Sequence, residues 1–175
     1  MRFPELRVVV IEGTAPERKA LILATDNVPH LYITSYPLVQ RDIEWYKMRP
    51  RPFHYLLLDE AQSIKNPRTK NAHAVKAIPA EYRLALTGTP LENGVEEIWS
   101  IFDFLMPGFL GHHASFQRNF GRPIMEEGNK EVLEHLKAKT SVFMLRRTKR
   151  DVLKELPAKI EQTLEVVLGD DQNVL

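Results

Sequence analysis

Residues 55–93 read YLLLDEAQSIKNPRTKNAHAVKAIPAEYRLALTGTPLEN, and this stretch decides the fold. Short apolar runs at 55–58 and 84–86 each break abruptly into polar or turn residues. A continuous apolar run bounded in this way is typical of a strand that is buried on both faces of a parallel sheet. Residues 68–78, between the runs, have about the length of one crossover helix. The stretch therefore predicts an α/β fold in which neighbouring parallel strands are joined by a helix.

Carboxylate, amide and hydroxyl side chains follow these runs directly. Asp59, Glu60 and Gln62 come after the first run, and Thr87 and Thr89 come after the second. In open α/β sheets, ligands bind beyond the carboxyl ends of the strands. Asp59 suits a Mg²⁺ ion bound to a nucleotide triphosphate, because that ion takes only one or two protein carboxylates, and Glu60 is placed to activate a water molecule. Thr87 and Thr89 are placed to hydrogen-bond Gln62 or the γ-phosphate region, so the sequence predicts half of a phosphate-handling site.

A plainer interpretation exists for each of these motifs. Asp59 can cap the helix that follows it, and residues 87–90 can form an ordinary turn. Either motif alone fits the plainer interpretation equally well. Their occurrence together, in this order and at this spacing, favours the phosphate site.

The order of the motifs resembles that of the Swi/Snf-type DNA translocases in helicase superfamily two. The resemblance rests on DEAQSIKNP at 59–67 and LTGTPLEN at 86–93. The Ile-Lys-Asn-Pro extension at 64–67 is more specific than the Asp-Glu pair, which many helicases share. An RNA helicase of the DEAD-box kind would carry Ser-Ala-Thr in place of Thr-Gly-Thr-Pro. The resemblance implies an ATPase that moves along duplex DNA, in which the residues of the predicted site bind Mg²⁺, activate water and couple nucleotide state to DNA grip.

The resemblance also implies where DNA is contacted. Residues 33–36 correspond to motif Ib, whose hydroxyls contact the DNA backbone, although the same hydroxyls are equally suited to end a strand and cap a helix. The basic stretch that begins at residue 146 resembles the family segment that returns from the protrusion before the link to the second lobe. Its arginines can contact phosphates or pair with acids across the lobes; the alternative is a solvated helix start. We expect the nucleic-acid contacts to come from Thr34, Ser35, Lys65, Arg146 and Arg147.

The resemblance divides the chain into parts. Residues 1–106 correspond to the later part of a first RecA-like lobe, a partial parallel sheet flanked by helices. Residues 107–145 correspond to a small helical protrusion, and residues 146–175 to a basic return segment and the start of a linker. Hydrophobic patterns predict strands at 6–11, 31–34 and 160–168, and helices at 14–24, from Ser35 onward, and at 130–143. In the helix that Ser35 caps, Val39, Ile43 and Tyr46 recur at helical spacing and are expected to face inward. The first of these helices begins with a capping box formed by Thr14 and Glu17.

A complete enzyme of this kind needs a G-x-x-x-x-G-K-[ST] loop to cradle phosphates, and none of the eight glycines here is followed by lysine. We expect that loop and a second RecA-like lobe, which carries a catalytic arginine, to be partners supplied from elsewhere. The chain alone is then inactive. An interaction module without catalysis and another superfamily-two helicase are the alternatives.

Composition sets outer limits on the function. The chain has 175 residues, 43% hydrophobic and 27% charged, which is ordinary for a globular domain. It has no cysteine, a net charge of +1, no apolar run near the roughly 20 residues that span a bilayer, and no signal peptide. We expect a cytoplasmic protein, bacterial or archaeal, or a nuclear one, and not a secreted one. His112 and His113 are adjacent and therefore point apart, so we expect no metal there.

Overall fold

The computed structural model describes residues 5–88 and 94–147 of the chain. The chain divides after Leu136 into two compact units. The first unit contains all the strands and nearly all the helices of the described residues. Of the second unit the structure describes residues 137–147, which comprise the end of the last helix and the residues that follow it. The predicted strand at 160–168 lies outside the described residues, as does Thr89.

Among the described residues, strands and helices alternate along the first part of the chain, and helices alone follow. The strands are β1 (Val8–Val10), β2 (Leu31–Ile33), β3 (Phe53–Leu58) and β4 (Ala80–Ala85). A 3₁₀ turn at Ala61–Ile64 follows β3. The helices are α1 (Ala15–Ile22), α2 (Tyr36–Lys47), α3 (Lys70–Lys76), α4 (Val95–Leu105), α5 (His113–Phe116), α6 (Arg122–Met125) and α7 (Lys130–Ser141), with a π-helical segment at Gln117–Gly121 between α5 and α6.

The strands form two parallel pairs, as the sequence predicts for an α/β protein. In the first pair Val9 of β1 lies opposite Tyr32 of β2. In the second pair Leu57 of β3 lies opposite Leu84 of β4. Among the described residues no strand pairing joins one pair to the other. The helices α1 and α3 are the crossover connections within the pairs, which is what parallel pairing requires.

The prediction that the central strands are buried on both faces is wrong for this chain. Side chains alternate along a strand, and only one set of them packs into the core. Leu58 is 5% exposed, whereas Leu57 is 52% exposed and Tyr55 is 65% exposed. Tyr82 and Leu84 on β4 are likewise about half exposed, at 53% and 48%. Helices cover one face of these strands, and no described residue covers the other.

The described core lies between the helices and the covered face of the strands. One cluster includes Val39 and Tyr46 of α2, Val75 of α3 and Phe104 of α4, all buried. A second cluster includes Trp99 and Phe102 of α4 together with Leu110, Phe116 and Leu136. The helix α4 therefore contributes to both clusters, through different residues of its apolar stripe. The predicted inward positions of Val39 and Tyr46 are confirmed.

A buried ion pair joins α1 to α2. The guanidinium of Arg18 donates from Nε to Asp42 Oδ2 at 2.6 Å and from Nη2 to Oδ1 at 2.9 Å, and both residues are almost fully buried. Arg18 also donates a third hydrogen bond, from Nη1 to the Gly13 carbonyl at 2.7 Å. The pair thus fixes α2, the helix that follows the predicted motif Ib, against the start of α1. Nothing in the sequence pattern indicated this partner for either residue.

Capping residues set the helix boundaries. Glu17 accepts hydrogen bonds from the Thr14 N–H and hydroxyl, each 2.7 Å long, so the predicted capping box is present. The hydrogen bond with the Thr14 hydroxyl lowers the pKa of Glu17. The crossover helix α3 begins later than predicted, because Thr69 is its N-cap and accepts a hydrogen bond from the Ala72 N–H at 3.2 Å. Residues 65–69 form bends and turns before it.

Candidate functional site

The ends of β3 and β4 are held together beyond the strands themselves. The Leu86 N–H donates to the Leu58 carbonyl at 2.8 Å, and the Ala61 N–H donates to the Leu86 carbonyl at 2.8 Å. These bonds extend the pairing past the last strand residues, so the polar residues after β3 lie next to Thr87. The predicted meeting of the two polar segments is therefore observed, up to the last residue described there.

The chain bends sharply at Glu60. This residue has φ 50° and ψ 52°, the left-handed conformation that costs a non-glycine residue about 1–2 kcal/mol. Its N–H donates to Asp59 Oδ1 at 3.0 Å. Directly after the bend, Ala61 and Ile64 are fully buried and anchor the 3₁₀ turn to the core. Asp59 and Glu60 are therefore exposed at the start of a turn that Ala61 and Ile64 anchor to the core. The N-cap residue of that turn is Glu60, not Asp59.

A chain of two hydrogen bonds connects Glu60 to Thr87, which follows the end of β4. The Gln62 side-chain amide donates to Glu60 Oε2, and the Thr87 hydroxyl donates to Gln62 Oε1 at 2.9 Å. The first bond engages one oxygen of the Glu60 carboxylate. Gln62 thus joins the polar segment after the first strand to the polar segment after the second. This arrangement is the most specific feature of the site.

Tyr36 belongs to the site, although sequence reasoning missed it. Its hydroxyl donates to the backbone carbonyl of Asp59 at 2.7 Å. Burial raises the pKa of Tyr36 to about 12, and the negative charges of Asp59 and Glu60 add to the rise. The hydroxyl is therefore a stable proton donor at neutral pH. The sequence feature that could have indicated Tyr36 is its position directly after Thr34 and Ser35, the hydroxyl residues of the predicted motif Ib.

Thr34 and Ser35 lie near the same carboxylates. Thr34 follows β2, and Ser35 is the N-cap residue of α2, although its side chain makes no capping hydrogen bond. Both residues line a cleft of about 780 Å³ between β2 and β3, called here the β2–β3 cleft, which is lined chiefly by residues 30–36 and 55–60. Asp59 and Glu60 line the same cleft. The structure thus gathers these predicted residues around one opening.

Lys65, a further predicted contact, is not among the residues that line the β2–β3 cleft. Lys65 follows the 3₁₀ turn, and its ammonium lies 3.5 Å from Glu97 Oε1 on α4, with the lysine side chain 57% exposed. Arg146 and Arg147 are exposed residues of the second unit. Thr89 lies outside the described residues. Within the described part of the first unit, the β2–β3 cleft is therefore lined by Thr34, Ser35, Asp59 and Glu60 but not by Lys65.

The carboxylates suit a magnesium ion that keeps most of its waters. Among the described residues there is no cluster of three or more His, Asp or Glu that could enclose a metal ion. Mg²⁺ bound to a nucleotide takes one or two carboxylates together with phosphates and waters, and the exposed Asp59 carboxylate meets that need. His113 is engaged differently, since its Nε2 lies 3.0 Å from Glu96 Oε1 and its ring packs edge-on against Trp99.

The fold and the site together define an α/β protein with acidic and hydroxyl groups at the carboxyl ends of paired parallel strands. The model of the SNF2-related domain matches the whole chain, residues 1–175. The TATA-binding protein-associated factor MOT1 of Saccharomyces cerevisiae is 42% identical over 98% of this chain. The uncharacterized ATP-dependent helicase MG018 of Mycoplasma genitalium is 39% identical over 98% of this chain.

A solved structure agrees with these sequence relatives. The Sulfolobus solfataricus SWI2/SNF2 ATPase core in complex with dsDNA is 39% identical and superposes with a TM-score of 0.74 over 89% of this chain. The chain belongs to the SNF2-related domain family, and the α/β, RecA-like fold class that the sequence predicts is confirmed. The chain spans 10% of the yeast protein, 16% of the Mycoplasma protein and 31% of the solved Sulfolobus chain. Among the described residues no helix is long and apolar enough to cross a membrane.

Proposed function

We propose that this chain contributes part of the ATP-hydrolysing site of a DNA-dependent ATPase that translocates on duplex DNA. The observation that carries the proposal is the hydrogen-bonded line from Glu60 through Gln62 to Thr87, at the ends of adjacent parallel strands. Membership of the SNF2-related domain family and similarity to a protein described as an ATP-dependent helicase support ATP as the substrate. The phosphate-cradling loop and a second lobe are then supplied from outside these residues.

Asp59 is the residue that would hold Mg²⁺, which neutralises phosphate charge when it is bound. Its backbone carbonyl is fixed by Tyr36 and its carboxylate oxygen Oδ1 by the Glu60 N–H. The first contact restrains the backbone at Asp59, and the second restrains the carboxylate itself. Asp59 is thus pre-positioned before any nucleotide arrives, which lowers the cost of ordering it on binding.

Glu60 is the general base in this proposal. A base must accept a proton from water within hydrogen-bonding reach, and a carboxylate does so through an oxygen lone pair. The Gln62 amide donates to Oε2 of Glu60 and thereby orients the carboxylate, which leaves Oε1 to accept the proton. The left-handed backbone at Glu60 fixes the direction in which this side chain leaves the turn.

Gln62 and Thr87 carry the state of the nucleotide to the neighbouring strand. A change in the position or protonation of Glu60 alters the hydrogen bond that the Gln62 amide donates to it. Gln62 in turn accepts a hydrogen bond from the Thr87 hydroxyl. Thr89, two residues further on, is proposed to contribute in the same way. In sequence, the next helix is α4, which contributes residues to both core clusters. Hydrolysis is thereby coupled to movement of a larger part of the protein.

Duplex DNA is the proposed partner, and similarity to the Sulfolobus ATPase core supports this, because that core was solved in complex with dsDNA. Exposed hydroxyls at Thr34 and Ser35 are suited to phosphate oxygens, as are the cations of Lys65, Arg146 and Arg147. With a net charge of only +1, the chain depends on such local contacts for DNA binding. A cytoplasmic or nuclear location accompanies this proposal.

The proposal is tested in the full-length protein with Glu60→Gln, which keeps the size of the side chain but removes the basic oxygen. We expect hydrolysis stimulated by duplex DNA to fall by roughly 10²–10⁴-fold, the usual contribution of a general base. Binding of Mg-ATP, measured by calorimetry, is expected to be unchanged. Glu44→Gln, an exposed change on α2, is the matched control and should behave like the wild type. A Glu60→Gln protein that retains most of its turnover would exclude Glu60 as the base.

A further inference from the structure

Tyr36 connects two segments of the candidate site that are 23 residues apart in sequence. Its hydroxyl donates to the Asp59 carbonyl at 2.7 Å, and its backbone continues directly from Thr34 and Ser35, the residues proposed to contact DNA. All four residues line the β2–β3 cleft. One side chain therefore joins the proposed DNA-contact segment to the segment that carries the carboxylates.

The Asp59 carbonyl belongs to the peptide group that precedes Glu60. Rotation of this peptide group changes φ of Glu60, which has the left-handed value of 50°. Because that conformation costs a non-glycine residue about 1–2 kcal/mol, other contacts must hold it. Tyr36 holds the carbonyl side of the peptide group, and Asp59 Oδ1 accepts from its N–H side at 3.0 Å. Tyr36 therefore helps to fix the backbone from which the Glu60 side chain departs.

Tyr36 is restrained by its helix on one side and is more open on the other. It is the first residue of α2, and this helix is fixed by the buried Asp42, which accepts two hydrogen bonds from Arg18. On the side of β2, Thr34 and Ser35 are exposed, and the Ser35 side chain makes no capping hydrogen bond. A ligand that contacts Thr34 and Ser35 would therefore restrain the second side of Tyr36 as well.

We propose that Tyr36 is a positioning residue that transmits DNA contact at Thr34 and Ser35 to the peptide group before Glu60. Duplex DNA restrains the residues that precede α2, and this restraint strengthens the hydrogen bond from Tyr36 to the Asp59 carbonyl. The proposed base is then held in its productive orientation for more of the time, so DNA raises the rate of hydrolysis. The inference rests on the proposed function, because it assigns a regulation to that same site.

This route differs from the one that runs through Gln62 and Thr87. Gln62 holds the side chain of Glu60, whereas Tyr36 holds the backbone before it. The nucleotide state is passed outward along the first route, and the DNA state is passed inward along the second. Loss of the Tyr36 hydroxyl should therefore reduce the ATP consumption that DNA induces, while the translocation obtained per ATP is kept.

Steady-state hydrolysis by the full-length protein tests the proposal through Tyr36→Phe, which removes only the hydroxyl. We expect kcat with saturating duplex DNA to fall by roughly three- to tenfold, the equivalent of one hydrogen bond. The kcat without DNA and the KM for Mg-ATP are expected to be unchanged. Tyr32→Phe is the matched control and should keep full stimulation. It removes a hydroxyl from the same cleft, one that is buried without a hydrogen-bond partner among the described residues.

Three kinetic outcomes would overturn the proposal. Full DNA stimulation in Tyr36→Phe would show that the hydroxyl transmits nothing. Equal losses with and without DNA would make Tyr36 a general support of the site. An equal loss of stimulation in Tyr32→Phe would show that the effect is not specific to Tyr36. Failure of the proposed function is recognised separately, because Glu60→Gln would then retain its turnover.

A second measurement uses no nucleotide and therefore does not depend on catalysis. Hydrogen exchange of the Glu60 amide is followed in the full-length protein with and without duplex DNA, and DNA binding is verified by fluorescence anisotropy. We expect DNA to slow this exchange by roughly three- to tenfold in the wild type and in Tyr32→Phe, but not in Tyr36→Phe. The Ala72 amide, which donates to the Thr69 hydroxyl, is an internal control for global stability.

The wild-type protein alone can also decide the question, whether or not Tyr36→Phe folds. A Glu60 amide whose exchange does not respond to bound DNA would overturn the inference and leave the catalytic role of Glu60 in place. Absence of DNA binding would instead refute the proposed function, and this inference with it.

Discussion

The hydroxyl of Thr87 donates a hydrogen bond of 2.9 Å to the side-chain carbonyl of Gln62, across a separation of 25 residues in sequence. Gln62 uses its other end, the amide, to reach Glu60. Because an amide side chain has distinct donor and acceptor ends, this arrangement fixes the orientation of Gln62. A change at either end is therefore transmitted to the other.

Loss of the Thr87 hydroxyl should weaken the coupling more than the binding of nucleotide. In the full-length protein we expect Thr87→Val to reduce translocation per ATP consumed by roughly two- to tenfold, the equivalent of one hydrogen bond. Thr87→Ser keeps the hydroxyl and is the matched control. Thr89→Ala is expected to show the same kind of defect. Equal losses of nucleotide affinity and translocation in Thr87→Val would assign this residue to binding.

Tyr36 should make the protein sensitive to alkali. Its pKa is raised to about 12, so the folded protein holds the phenolic proton more tightly than the unfolded chain, whose tyrosines titrate near pH 10. The stability that this provides is complete below about pH 10 and is lost as the pH rises towards 12. We expect Tyr36→Phe to show a smaller loss of stability across that interval, measured by urea unfolding of the 175-residue chain. Identical slopes for the two proteins would contradict the raised pKa.

Ser100 supports the turn that carries the carboxylates. It is fully buried on α4, and its hydroxyl donates to the Ile64 carbonyl at 2.6 Å, at the end of the 3₁₀ turn. Ser100→Ala leaves that carbonyl without this donor, so we expect a loss of about 1–3 kcal/mol in the free energy of unfolding. Ser141→Ala, at an exposed position, should change stability by less than about 0.5 kcal/mol. Denaturant titration of both variants measures the difference. Equal stabilities would show that the Ser100 bond contributes nothing.

The 175-residue chain by itself should neither bind ATP tightly nor hydrolyse it. Phosphate affinity comes mainly from a glycine-rich loop and its lysine, and no glycine here precedes a lysine. The arginine expected from a second lobe is typically worth about 10³–10⁵ in turnover in related NTPases. Calorimetry with Mg-ATP, and phosphate release with and without duplex DNA, measure the two properties. Micromolar affinity or DNA-stimulated release from this chain would refute the expectation.

The sequence predicted the local features that depend on neighbouring residues. An apolar run predicted the strand that ends at Leu58, and capping chemistry predicted the capping box at Thr14. Helical periodicity predicted the inward face of Val39 and Tyr46. The structure confirms all three predictions. These signals are local, and so they can be read from a single sequence.

Contacts between distant residues could not be predicted in the same way. The Tyr36 hydroxyl reaches Asp59 across 23 residues, and Arg18 reaches Asp42 across 24, so neither pairing has a periodic signature. The exposed face of β3 and β4 was missed for another reason. An apolar run is the same in sequence whether its second face is covered by this chain or by another segment, so composition predicts that the face is apolar but not what covers it.

Because the backbone at position 60 is left-handed, the residue that suits stability there differs from the residue that suits the proposed activity. Glycine, which adopts this conformation without strain, would relax the bend and is expected to raise the melting temperature, but it would remove the proposed base. A laboratory selection for heat resistance alone should therefore enrich glycine at position 60. A selection for DNA-stimulated hydrolysis should retain glutamate and accept the lower melting temperature. The residue found at position 60 would then show whether a population of variants had been selected for heat resistance or for hydrolysis.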